Sequence, residues 1–237
     1  MTREAGAVEV SASPGALATA VIAAAGSGTR LGAGGPKALV ELGGRPLVAW
    51  SLAALAAAES IGAIVIAAPQ GLEDELRALA GGARVVTGGA TRSQSVASAL
   101  EAVDSELVVV HDAARPLATP RLFDEVVSAL VAEPGCDALV AAAPLADTVK
   151  RASSELTVTE TISREGLWAV QTPQAFRTAS LRRALGAPAD RLAAATDDAM
   201  LIEAAGGLVR LHPVAEPNPK VTTAEDLLAA EALVAAR

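Results

Sequence analysis

The chain has 237 residues, 51% hydrophobic and only 2% aromatic, with 19 basic and 27 acidic side chains for a formal net charge of −8. So apolar a composition excludes intrinsic disorder, and the lack of any Lys/Arg block argues against a nucleic-acid surface. A single cysteine, Cys136, and two histidines, His111 and His212, exclude an intramolecular disulfide framework, a Cys-rich zinc site and a His-rich metal centre.

Residues 1–17 are expected to be a disordered leader. Their first ten residues hold one basic and two acidic side chains, and Pro14-Gly15 breaks the approach to the apolar run that follows, so a secretory signal does not fit and a cytoplasmic protein is expected. The remainder, 18–237, is read as a single domain. An apolar strand is predicted over 20–25. The run 47–68 has nearly the length of a membrane span, but Glu59, Ser60 and Gly62 divide it into an Ala-rich helix over 47–58 and a strand over 63–68, so no membrane partner is expected. A helix over 72–80, a strand over 84–87, a helix over 92–103 and a buried strand over 107–110 ending in His111-Asp112 follow, then a helix over 122–131 and a strand over 138–142. Strand and helix in repeated succession imply right-handed crossovers and a doubly wound α/β fold around a mostly parallel sheet.

The rhythm breaks over 144–162, where short alternating segments flank the polar turn Ala152-Ser153-Ser154. This predicts a protruding β-hairpin arm. A two-stranded arm without its own core is marginal in water, so a second subunit is its expected support and the protein is expected to be a homodimer. Beyond it the sequence predicts a Pro-containing loop at Gln171-Thr172-Pro173, helices over 178–185 and 197–205, a strand over 208–211 and a closing helix from Ala224.

Ligands of open α/β sheets bind beyond the carboxyl ends of the strands, so the segments there carry the chemistry. After the first strand, Gly26, Gly28 and further glycines surround Arg30 and Pro36-Lys37 in a loop suited to polyphosphate. It lacks the Lys-Ser/Thr of a Walker A loop, and Leu31 stands where a dinucleotide fingerprint needs its third glycine. After the third strand, Gly88-Gly89-Ala90 leads into a helix start with hydroxyls at Thr91, Ser93 and Ser95, which reads either as an ordinary capped helix or as a site for a base edge. After the fourth, Asp112 suits a Mg²⁺ ligand beside phosphates, whereas His111 reads as a hydrogen-bonded structural residue. Later, Arg164 and Thr172 are candidate anion or hydroxyl ligands, Thr196 reads as a helix N-cap followed by first-turn acids, and Lys220 sits in a Pro-constrained segment where a solvated lysine is the default.

Taken together, G-x-G-x-R…P-K from Gly26, G-G-x-x-R-x-x-S from Gly88, V-V-H-D-A-A-R-P around Asp112, D-T-V-K-R around Thr148, L-W-x-x-Q-T-P-Q around Thr172, T-D-D from Thr196 and N-P-K-V-T around Lys220 resemble the 2-C-methyl-D-erythritol 4-phosphate cytidylyltransferases of the non-mevalonate isoprenoid pathway. Ribitol-5-phosphate cytidylyltransferases are the nearest alternative; an NAD-dependent oxidoreductase and a non-catalytic nucleotide-binding protein are more remote. The resemblance implies a Rossmann-like nucleotidyltransferase fold, CTP and methylerythritol phosphate as substrates, and Mg²⁺ as cofactor. It implies that Arg30 and Lys37 stabilise the triphosphate and transition state, that Lys220 acts from the opposite side, and that Asp112 holds Mg²⁺. Ala24, Ala25, Gly26, Gly28, Gly89, Ala90, Ser95, Asp112 and Ala113 would bind the nucleotide, and Asp112, Arg115, Thr148, Arg164, Thr172 and Thr196 the second substrate, some of them from a partner subunit. Two departures stand out: Ala90 and Ser163 occupy positions where the family often carries Asp.

Overall fold

The computed structural model describes residues 15–26, 31 and 35–236. Gly28 and Arg30, and all but the last three residues of the expected leader, lie outside these residues. Leu17, at the end of that leader, already donates its backbone N–H to the Ser60 carbonyl at 2.9 Å.

In chain order the elements are β1 (Ala18–Ala23), β2 (Glu41–Leu42), β3 (Arg45–Pro46), α1 (Leu47–Ala56), β4 (Ile61–Ala68), α2 (Glu73–Leu79), β5 (Arg84–Thr87), α3 (Arg92–Leu100), β6 (Leu107–Asp112) and α4 (Pro120–Ala132). Then come β7 (Ala138–Pro144), β8 (Val149–Ala152), β9 (Val158–Ile162), β10 (Trp168–Arg177), α5 (Thr178–Leu185), α6 (Ala189–Ala194), α7 (Asp198–Ala204), β11 (Val209–Pro213) and α8 (Ala224–Ala235). Seven strands form one sheet in the order β11-β7-β10-β6-β1-β4-β5. β1 pairs in parallel with β4 and β6, β4 with β5, and β7 with β11, whereas β10 is antiparallel to both β6 and β7. The doubly wound, mostly parallel α/β reading is therefore correct, with one inverted strand inserted.

That strand corrects the prediction of a loop at Gln171-Thr172-Pro173. Pro173 has no N–H to give a ladder, so the β10–β7 register is interrupted between Val170 and Gln174 and resumes on either side. A local breaker thus marks an irregularity inside the strand, and the tertiary pairing of Gln174–Arg177 with Leu107–Val110 overrides it. The β2–β3 hairpin and helix α6 go beyond the predicted elements: both are short, and neither carries an apolar period of its own.

Alternation along the strands builds a core on each face of the sheet. Ile22, Ile66, Val109 and Leu139 pack with Val48, Leu52, Phe123 and Val126 on one side. Val21, Val65, Val108 and Val140 pack with Val96, Leu100, Phe176 and Leu181 on the other. Burying each such side chain stabilises by roughly 1.5–3 kcal/mol, which makes the sheet a rigid platform for the loops at its carboxyl edge. Helix α4 shows how locally this is encoded: Thr119 caps it by accepting from the Leu122 N–H at 3.3 Å, Pro120 opens the first turn, and Leu122, Phe123, Val126, Val127 and Leu130 form its buried stripe. A third cluster of Leu31, Leu42, Leu47, Leu117, Val221 and Ala230 fastens the β2–β3 hairpin and α8 beside the carboxyl edge. The β8–β9 arm stands apart, with Leu156 at 84% and Val158 at 56% exposure. No helix among the described residues is long and apolar enough to cross a membrane.

A nucleotide-sized cleft at the carboxyl edge of the sheet

The ends of β1, β5 and β6 open into a cleft of about 460 Å³, lined by Ala24, Ala25 and Gly26 after β1, by Gly89, Ala90 and Ser95 before and within α3, and by Asp112 and Ala113 at the end of β6. Lys37 and Lys220 reach it from outside the sheet. The sequence leaves Lys37 and Lys220 far apart from Asp112, and the fold brings them to one place.

The wall made by α3 depends on glycine. The Gly88 N–H donates to the Ala68 carbonyl at 2.7 Å, and a Cβ at Gly88 would lie 2.9 Å from the Ala25 Cβ and from Ser95 Oγ. A Cβ at Gly89 would lie 2.3 Å from the Gln94 Cβ. The hydroxyls suggested for reading a base are instead engaged within the wall. Thr91 Oγ1 accepts from the Gln94 N–H at 3.2 Å in a capping box, and Ser93 Oγ points to the Leu192 carbonyl at 3.4 Å. Ser95 Oγ accepts from the Gly89 N–H at 3.1 Å and donates to the Thr91 carbonyl at 2.9 Å. Gly89 has no side chain and Ala90 only a methyl group, so the polar groups these two residues can offer the cleft are those of the backbone.

Asp112 is the electrostatic centre. Its Oδ1 accepts from Arg92 Nε at 3.0 Å and its Oδ2 from Lys220 Nζ at 2.6 Å. Burial by itself would raise its pKa, but the Arg92 and Lys220 charges prevail and hold the carboxyl well below the usual range, so it is ionised. Arg92, which also lines the cleft, was not picked out as a site residue because a helix-start arginine gives no sequence signal of its partners. Its Nη1 reaches Asp198 Oδ2 at 2.5 Å, and although burial disfavours its charge, the two carboxylates raise its pKa further.

Behind Asp112 lies a buried hydrogen-bonded chain. The Asp112 N–H donates to Thr172 Oγ1 at 3.1 Å, leaving the Thr172 hydroxyl proton for His111 Nδ1, also 3.1 Å away. His111 must then carry its proton on Nε2, which faces the Arg115 carbonyl at 3.2 Å. Burial lowers the His111 pKa to about 4, consistent with a neutral ring, and its edge packs against Phe123. The expected structural role of His111 is thus seen directly. Thr172 is only 4% exposed and its hydroxyl is used in this chain.

Lys220 is aimed by its own segment. Asn218 is buried and donates through Nδ2 to the Thr172 carbonyl at 2.8 Å, the Val221 N–H donates to the Ala114 carbonyl at 2.8 Å, and Arg115 Nη1 donates to the Asn218 carbonyl at 2.6 Å. The Arg115 guanidinium therefore braces this segment, and burial lowers its pKa. Thr148, Arg164 and Thr196 do not line the cleft. Thr148 and Arg164 are exposed at the base of the arm, where Arg164 Nη1 donates to the Ala146 carbonyl. Thr196 is exposed, and the N-cap of α7 is Asp197, accepting from the Met200 N–H at 2.9 Å; this corrects the assignment of that cap to Thr196.

A family model described as 2-C-methyl-D-erythritol 4-phosphate cytidylyltransferase matches residues 18–236. The chain belongs to this family. It is 47% identical to the 2-C-methyl-D-erythritol 4-phosphate cytidylyltransferase of Frankia casuarinae over 219 residues, 91% of this chain and 80% of that protein. It is 44% identical to that of Gloeobacter violaceus over 223 residues, 90% of this chain and 94% of the relative. The crystal structure of the Thermus thermophilus enzyme of the same name superposes with a TM-score of 0.74 at 35% identity, covering 91% of this chain and 98% of that one. Family membership agrees with the resemblance read from the motifs around Gly26, Asp112, Thr172 and Lys220, and the fold of this cytidylyltransferase family agrees with the doubly wound sheet.

Proposed function

We propose that this family member transfers CMP from CTP to 2-C-methyl-D-erythritol 4-phosphate, a phosphate oxygen of the alcohol phosphate attacking the α-phosphorus of CTP with release of pyrophosphate. The observation that carries the reading is the convergence of Lys37, Arg92 and Lys220 with the Asp112 carboxylate on one cleft bounded by glycine backbone. Two anionic reactants repel, so the catalytic task is to neutralise charge and align an in-line displacement.

In this reading the cytosine lies against the backbone of Ala24, Ala25, Gly89 and Ala90, with Ser95 fixing the Gly89 peptide. Backbone donors and acceptors suit a base edge, and they do so without the Asp that the family often carries at Ala90. Lys37, assisted by Arg30 and by the glycines at Gly26 and Gly28, binds the triphosphate and stabilises charge on the pentacoordinate transition state. Lys220 holds the attacking phosphate near the α-phosphorus from the other side.

Among the described residues no three His, Cys, Asp or Glu side chains cluster to make a metal cage of their own. Asp112 nevertheless fits Mg²⁺: it is ionised, each oxygen accepts one hydrogen bond and keeps a lone pair, and this ion commonly takes one or two carboxylates with phosphate oxygens and water. When bound, Mg²⁺ would supply charge neutralisation at the phosphates. Thr148, Arg164 and Thr196 are assigned to the methylerythritol phosphate, with the exposed arm packing on a second copy of the chain. Arg115 and Thr172 serve the same pocket from behind, through Lys220 and Asp112. We place the protein in the cytoplasm.

Incubation with CTP, Mg²⁺ and methylerythritol phosphate should release pyrophosphate. Ribitol 5-phosphate run in parallel distinguishes the nearest alternative: faster turnover of ribitol 5-phosphate would overturn the assigned acceptor, and release with neither would overturn the cytidylyl-transfer reading.

A further inference from the structure

Asp198 is completely buried and does not line the cleft, yet it is tied to the cleft by one residue. Its Oδ2 accepts from Arg92 Nη1, and its Oδ1 has no hydrogen-bond partner among the described residues. Burial raises its pKa against the opposing pull of Arg92. Burying a carboxylate with an unpartnered oxygen is costly, and an apolar residue there would serve packing at least as well. The geometry of Arg92 gives the carboxylate a different use. In a guanidinium, Nε and Nη2 share one edge and Nη1 lies off it. Arg92 turns the Nε edge to Asp112 but makes only the single Nε bond to Oδ1, while Nη1 is held by Asp198. Asp112 Oδ2 is thereby left for Lys220.

We propose that Asp198 is a positioning residue for cytidylyl transfer: by holding Arg92 Nη1, it prevents the guanidinium from closing its Nε–Nη2 fork on both Asp112 oxygens, and so preserves the Asp112–Lys220 pair. A fork on a carboxylate is the preferred arrangement of an unrestrained Arg–Asp pair, so a second carboxylate is needed to hold the single-bond geometry. The inference rests on the cytidylyl-transfer reading, in which Asp112 and Lys220 act on the same phosphates.

The test uses the full chain with CTP, Mg²⁺ and methylerythritol phosphate. Pyrophosphate release by the unmodified protein checks the underlying reading independently. Asp198→Asn keeps the shape and removes the charge that holds Nη1; it should lower kcat by about 10- to 100-fold, with the KM for CTP and the melting temperature little changed. Arg92→Lys keeps the charge but loses the planar fork, and should also lower kcat at least about 10-fold. Because Asp198 acts only through Arg92, adding Asp198→Asn to Arg92→Lys should cost less than about a further twofold. Unchanged kcat in folded Asp198→Asn, losses that multiply in the double variant, or an effect confined to melting temperature would each overturn the proposal. Should Asp198→Asn not fold, unchanged kcat in Arg92→Lys would overturn it as well.

Discussion

Lys220 Nζ lies 2.6 Å from Asp112 Oδ2 across a sequence separation of 108 residues, and Lys220 is not placed there by any element of its own. Asp112 ends a central strand, while Lys220 projects from a segment held by Asn218, Val221 and Arg115. The pair joins the nucleotide side of the cleft to the side from which an acceptor phosphate would approach.

Removing either lysine of the proposed phosphate site should therefore act on turnover more than on folding. Lys37→Ala and Lys220→Ala are each expected to lower kcat by roughly 10²-fold or more, with circular dichroism and melting temperature near those of the unmodified protein. Near-normal turnover in Lys37→Ala would return that lysine to an incidental surface charge.

Thr172 offers a separation of hydroxyl from shape. Thr172→Val leaves the Asp112 N–H and His111 Nδ1 without their shared partner, so a stability loss of about 1–3 kcal/mol in urea titration is expected, together with reduced kcat. Thr172→Ser keeps the hydroxyl and should recover most of both. Damage in Thr172→Ser as large as in Thr172→Val would show that the methyl group matters as much as the hydrogen-bonded chain.

His111 makes the stability of the nucleotide-free and metal-free protein depend on pH. Its pKa is lowered from 6.5 to about 4 on folding, so between these values the unfolded state binds more protons and stability falls as pH falls. Above the unfolded value its contribution is constant. A loss of about 2–3 kcal/mol is expected on acidifying from about pH 7 to pH 4.5, and His111→Gln should flatten that slope in chemical denaturation.

The wall before α3 predicts an effect on nucleotide binding. In Gly89→Ala the new Cβ meets the Gln94 Cβ at 2.3 Å, and the helix start must move. The KM for CTP should rise about 10-fold or more, whereas the KM for the alcohol phosphate should change little; equal rises in both would show that the whole cleft had shifted.

The arm predicts an assembly. Val158→Glu places a charge at a residue that is 56% exposed in the single chain, and analytical ultracentrifugation should show a dimer for the unmodified protein and a monomer for the variant. If the arm supplies substrate-binding groups to the partner, the monomer should also lose activity.

Much of the fold could be read from periodicity because strands such as Leu107–Asp112 and helices such as Thr178–Leu185 carry their apolar pattern within a few residues. Cleft residues next to strand ends, such as Gly89 and Asp112, were legible for the same reason, because the strand itself delivers them, whereas Ala24 was implied only by the family resemblance. Residues whose use depends on a distant partner were not. Thr172 looked like a free hydroxyl, and only the insertion of β10 between β6 and β7 encloses it against His111. Arg92 looked like an ordinary helix-start residue until α7 brought Asp198 behind it.

By itself the sequence determined the alternation of strands and helices, the glycine backbone at the sheet's edge and the family, since all of these are written in local patterns. The tertiary structure decided which cations share Asp112, which hydroxyls are already engaged, and how Arg92 divides its donors between two carboxylates. Those outcomes depend on distance and direction between side chains, which chain order does not specify.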